Sequence, residues 1–163
     1  MGWNTIPDKS TGDLFTEAMW DTFFKGNAEY LLNGRGLDAQ TYIPASDYST
    51  TSSSWQYVDS TNAKVSVDCY SGRVLVAAGF HSGGSSAIDG DVGFRANGVD
   101  YEVGVIRSGV TDFVCVAWII SGLATDGSQE DIYLRYKSRV AGNAVVISRL
   151  SGQGRIWMVA LEI

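Results

Sequence analysis

The side chains that could act on a substrate are few, and their spacing favours other roles. His81 is the only histidine, so a Ser-His-Asp triad would have to be built on it. It sits in Phe80-His81-Ser82-Gly83-Gly84, a stretch that reads as a polar turn after a strand. No G-x-S-x-G elbow presents a serine nucleophile, and a surface-loop histidine is the simpler reading. A glycosidase needs two carboxylates facing each other across a cleft. Asp89, Asp91, Asp100 and Glu102 make one acidic group, and Asp126, Glu130 and Asp131 another. Solvated turn residues explain both, since Asp favours tight turns.

Metal and cofactor chemistry fares no better. Asp89-Gly90-Asp91, and Asp126-Gly127-Ser128 with Glu130 and Asp131, offer hard oxygen ligands suited to calcium. Neither has the spacing of a helix-loop-helix calcium loop. Zinc would need a Cys/His cluster. Gly79, Gly83 and Gly84 read as β-turn glycines, without the helix that a phosphate cradle precedes. Cys69 and Cys115 lie in the strand-like runs 65–70 and 113–119 and read as buried, reduced thiols. The expectation is a non-enzymatic protein with no cofactor and no metal.

Aromatic residues leave one binding chemistry open. Tyr42, Tyr48, Trp55 and Tyr57 lie in or beside the hydroxyl-rich run 50–54, where rings can stack on sugar faces. A glycan platform there competes with a plainer reading, in which Trp55 and Tyr57 face a core or a neighbouring subunit.

The elements that must position these residues divide near residue 36. At 163 residues, with 45% hydrophobic and 12% aromatic side chains, the chain is globular and fits one main domain with an appendage. Net charge is −6. Arg135, Lys137 and Arg139 would share one strand face, expected to be solvated, and no dense basic patch marks a nucleic-acid partner. The longest nearly apolar run, 114–120, is too short to cross a bilayer. No secretory signal is visible, so assembly in a cytoplasm is expected, with no membrane partner.

Residues 1–36 read as an arm. Residues 1–11 form an extended lead with Trp3 and Ile6. A helix is expected from about Asp13, capped by Asp13 or Thr16. Phe15, Met19 and Phe23 recur at helical spacing beside a second row of Trp20, Phe24, Ala28 and Leu31, so apolar side chains cover more than half the circumference. Such a helix must pack on its own β-domain, on copies of itself or on a partner. Asn33-Gly34 and Gly36 end it.

Residues 37–163 read as short strands separated by Gly, Ser and Asp turns. A surface loop is expected over 37–54, leading to strands at 55–58, 64–70, 73–80, 93–96, 99–105, 111–120, 132–138, 144–150 and 155–162. Asn97-Gly98 is the strongest hairpin signal. The spacing suits a sandwich or barrel. The runs at 114–120 and 156–161 are apolar on both faces, which points to a subunit contact.

Trp3-Asn4-Thr5, Gly12-Asp13 with Thr16 and Ala18, Trp20-Asp21, and Gly26-Asn27 with Tyr30-Leu31-Leu32 together resemble the N-terminal segment of many tailed-phage structural proteins. There a W-N-T start precedes a helix ending in a D-N-L-like stretch. The remainder resembles the jelly-roll domains that follow such segments. Residues 116–122 stand where that family has a strand entering an L-x-x-G turn, and 149–162 stand for its closing Leu-Glu-Ile strand. Gly26 replaces a frequent Asp, and Thr125-Asp126-Gly127 replaces a Gly-x-His-Thr turn. The resemblance implies a mainly β protein, a jelly-roll-like antiparallel sandwich with an N-terminal helical arm, assembling as a homotrimer on the virion surface. Other virion proteins, such as a major capsid or tail protein, would be its partners. Attachment would run through Trp3, Phe15, Met19, Trp20, Phe23, Phe24 and Leu31. Capsid decoration is favoured over a glycan-binding tail-fibre module, because the chain lacks a coiled-coil or triple-β shaft.

Overall fold

The computed structural model describes residues 37–83, 89–106, 113–148 and 155–163. The arm and its helix over 1–36 lie outside the described residues, as do Trp3, Phe15, Met19, Trp20, Phe23, Phe24 and Leu31. The described residues form antiparallel sheets with no helix among them. Their strands are β1 (Leu37–Tyr42), β2 (Tyr48–Thr50), β3 (Gln56–Tyr57), β4 (Lys64–Asp68), β5 (Arg73–Gly83) and β6 (Gly90–Ala96). β7 (Val99–Ile106), β8 (Phe113–Ser121), β9 (Gln129–Ser138), β10 (Val145–Ser148) and β11 (Ile156–Glu162) complete the set.

Two sheets result. In the first, the long strand β5 has β8 along one edge. Its other edge is shared end to end by β11 and β10. β1 then pairs with β11, and β2 with β10. In the second, β9 lies between β6 and a lane shared by β3 and β4, with β7 outside β6. Each sheet is thus four lanes wide. The first runs β1/β2, β11/β10, β5, β8, and the second β3/β4, β9, β6, β7.

Alternation decides which side chains enter the core. Val74, Val76, Ala78 and Phe80 of β5 meet Val92 and Phe94 of β6 and Ile132, Leu134 and Tyr136 of β9 in one buried cluster. Asn97 and Gly98 carry φ of 45° and 77°, the paired left-handed geometry of a type I′ turn, and close the β6–β7 hairpin.

Several expectations change: Asp91, Asp100, Glu102, Glu130 and Asp131, read as turn residues, lie in strands, as do Gly79 and Gly83. The region read as a surface loop contains β1 and β2, because β11 and β10 supply backbone partners to a polar stretch that alternation alone does not reveal. The strand expected to end at residue 80 runs on to Gly83, since Ser82 and Gly83 pair with Ile147 and Val146; His81 is therefore a strand residue. Cys69 is buried, but Cys115 is exposed, because β8 is an edge lane and Cys115 points away from the core.

Candidate functional site

The outer face of the second sheet gathers aromatic and charged side chains. With Ile132, Leu134 and Tyr136 inside, β9 turns Asp131, Tyr133, Arg135 and Lys137 outward. β6 contributes Asp91, Gly93 and Arg95, and register sets Asp100 of β7 beside Arg95 and Glu102 beside Gly93. Trp55 and Tyr57 lie over this surface from the β3 lane. The Arg135 guanidinium stands 4.1 Å from the Tyr57 ring centre, and the Lys137 ammonium 4.5 Å from that of Trp55. Tyr57 meets Tyr133 edge-on at 5.1 Å. Gly93 makes room: a Cβ there would overlap the Tyr101 carbonyl and lie 3.0 Å from the Trp55 ring.

In the row Arg135, Lys137, Arg139, the side chain of Arg139 is 43% exposed as a solvated face requires, but Lys137 is half-buried and Arg135 is withdrawn from water. Arg135 is only 6% exposed. Its Nη2 donates to the Trp55 carbonyl at 2.5 Å, and its Nη1 lies 3.2 Å from Asp100 Oδ1 as an ion pair. Arg95 holds the other Asp100 oxygen at 2.9 Å. Lys137 bridges Glu102 at 3.0 Å and Asp91 at 3.3 Å, and Arg139 reaches Asp91 at 2.6 Å. Farther along, Asp131 accepts from Lys64 at 2.8 Å, from the Ser66 hydroxyl and from Tyr133. The Lys64 hydrogen bond, then that of Ser66, holds the Asp131 carboxyl below the usual range.

Tyr42 and Tyr48 belong elsewhere. Both pair inward-facing positions of the first sheet and pack against the core. Burial, then the neighbouring Tyr48, pushes the Tyr42 phenol far up. Tyr48 donates to Asp59 Oδ2 at 2.6 Å. Asp59 also accepts the N–H groups of Thr61 at 2.8 Å and Asn62 at 3.0 Å. Partial burial acts against the charged Asp59, but the bonds from Tyr48, Asn62 and Thr61 outweigh it and lower its pKa to about 2. Of the four aromatics singled out from sequence, Trp55 and Tyr57 come together; Tyr42 and Tyr48 brace the fold. Tyr133, Lys64 and Arg95 were missed, and alternation along β9 is the signal that points to Tyr133.

The first sheet's outer face has the opposite character. Leu161, Leu75 and Ile119 stand side by side in one row. Ala39, Val159, Ala77 and Ala117 form the next, and Thr41, Trp157, Gly79 and Cys115 a third. The Trp157 indole lies on Gly79, where a Cβ would collide with it. Phe113 is 54% exposed and packs edge-on against His81 with ring centres 5.1 Å apart. Leu75, Ala117, Trp118 and Ile119 line an open apolar hollow near the edge.

Most of the groups weighed for catalysis are engaged in structure. His81 shares the outer face with Phe113, whereas Ser82 is 1% exposed on the opposite side of the strand. Asp91 is held by two cations. Glu130 accepts the Ala124 N–H, and Asp126 the Ser128 N–H, each at 3.0 Å. Among the described residues no three His, Cys, Asp or Glu side chains gather to hold a metal ion.

No family model matches this chain, and no curated protein matches it in sequence. Solved structures do. The PRD1 vertex protein P5 aligns with a TM-score of 0.51 at 11% identity, covering 79% of this chain and 73% of that one. The tripod from the baseplate of bacteriophage Tuc2009 covers all of this chain and 82% of its own, at 14% identity and a TM-score of 0.39. The first is a likeness of fold alone, and the second is too weak to argue from.

Proposed function

We propose that this protein is a non-enzymatic structural component of a phage virion. In this reading it is a homotrimeric jelly roll on the particle surface, decorating the capsid and joined to it through residues 1–36. The strand path carries the reading. Eight lanes are divided between two four-lane sheets, and apart from the β6–β7 hairpin every pairing joins lanes that are not consecutive in the chain. That order supports a jelly roll, an architecture used by viral capsid and lectin domains. Likeness of fold to a protein named as the PRD1 vertex protein supports the same reading.

Immunogold electron microscopy of the source virus, with antibody to residues 37–163, tests it. Label over the whole shell supports decoration. Label at one end moves the protein to the tail, and no label on any particle ends the virion reading.

One observation favours a second reading, a tail-fibre module that recognises host-surface glycan. Trp55 and Tyr57 lie along the second sheet with cations from β9 against their rings, an arrangement suited to stacking on sugar. Glycan-array binding that Trp55→Ala abolishes supports it; a blank array removes it.

A further inference from the structure

An antiparallel sheet face that meets water is ordinarily polar, yet the central rows of the first sheet's outer face carry no charged side chain. Leu75 is 39% exposed and Ile119 46%. We propose that the helix expected over residues 13–33 lies across this face of its own chain.

Three observations select that occupant. First, the 36 residues outside the described domain rejoin it at Leu37, the first residue of β1. β1 is the edge lane of this sheet, and Leu37 pairs with Leu161, so the segment arrives at a corner of the face with nothing to span. Second, the dimensions agree. A helix of about 20 residues is ~30 Å long, while the face is roughly 14 Å from the first lane to the fourth and about 27 Å long over residues 73–81. Third, the surfaces complement each other. Ala77 and Ala117 make a low floor between the Leu75–Ile119 row and the Trp157 indole that covers Gly79, and the helix offers large side chains in two adjacent rows, Phe15, Met19 and Phe23 beside Trp20, Phe24 and Leu31.

The inference divides the N-terminal segment. Its helix covers the sheet, which leaves the lead with Trp3 to reach a particle partner. The covering does not rest on the virion reading, and neither readout below involves a particle.

The full chain carries its own reporters. Cys115 lies on the face and is exposed among the described residues, whereas Cys69 is buried in the core; the sequence has no other cysteine. In the native protein, a maleimide should modify Cys115 at least about tenfold more slowly than in a Trp20→Asp/Phe24→Asp variant, with Cys69 silent in both. In Met19→Cys and Phe23→Cys, a short bismaleimide should join the new thiol to Cys115 within one chain. Equal Cys115 rates in native and variant protein would overturn the inference. So would a link that joins two chains, which places a second copy on the face, or no intrachain link from either position. If the double variant exposes Cys69 it has unfolded, and the linking experiment then decides alone.

Discussion

Arg135→Ala separates the two readings of the basic row. Removing this guanidinium takes away the 2.5 Å bond to the Trp55 carbonyl, the ion pair to Asp100 and the cation against Tyr57. Breaking one partner of a buried pair costs about 3–5 kcal/mol, but Asp100 keeps Arg95 at 2.9 Å, so the full penalty is not reached. A hydrogen bond from a charged donor contributes roughly 1.5–3 kcal/mol, and a partly desolvated cation on a ring about 0.5–2 kcal/mol. These share one side chain and do not add. The expected loss is about 3 kcal/mol, a fall in Tm of roughly 6–12 °C for a domain of this size. Urea unfolding of wild type, Arg135→Ala, Asp100→Asn and the double variant measures both the loss and the coupling. Arg135→Lys should recover less than about half, because an ammonium cannot donate in a planar fork while lying on Tyr57. A loss under about 0.5 kcal/mol, the range of ordinary surface substitutions, would refute the argument and return the row to a solvated face.

Other consequences are as direct. Tyr48→Phe removes a hydrogen bond that helps hold Asp59 at about 2, against an ordinary 3.8. A depressed carboxyl adds stability above its unfolded pKa, and that stability is lost as pH falls through the folded value. Acid unfolding of the variant, followed by circular dichroism, should therefore begin at higher pH within the window between about 4 and about 2. Gly93→Ala drives a methyl against the Tyr101 carbonyl and the Trp55 ring, and should cost about 1–3 kcal/mol in urea unfolding while lowering quenching protection of Trp55. Gly98→Ala meets no neighbouring atom but is forced to keep φ near +77°, so a loss of about 1 kcal/mol is expected from backbone strain alone.

What the sequence made legible follows from range. Asn97-Gly98 encodes its own turn, and the alternation of Val65 and Val67 encodes a half-buried strand; both are local, and both β4 and the β6–β7 hairpin are found where they were expected. β1 and β2 were not legible, because Asp38, Gln40 and Thr41 alternate nothing and become strand through β11, more than a hundred residues along the chain. His81 reads as a turn residue in sequence because Ser82-Gly83-Gly84 are turn formers. Pairing with β10 overrides that local preference through Gly83. Trp55 and Tyr57 could be picked out as aromatics, but their companions could not. Arg135 meets the Trp55 carbonyl across 80 residues and Lys137 meets Glu102 across 35. Burial of Arg135 is a property of those distant partners, and nothing near it in sequence encodes it.

The two outer faces differ in what it costs to cover them. Every ion pair among the described residues lies on the second sheet's side. Covering that face would withdraw Glu102, 53% exposed along its side chain, and its neighbours from water, and desolvating such pairs offsets much of what contact returns. The first sheet presents Leu75, Ile119 and Trp157 with no charge between them, so each Å² covered there returns about 25 cal/mol with little polar penalty. A permanent contact therefore belongs on the first sheet, and a reversible, water-facing one on the second. That asymmetry lets one small two-sheet domain carry Trp55 and Tyr57 on a charged face while its opposite face presents apolar side chains.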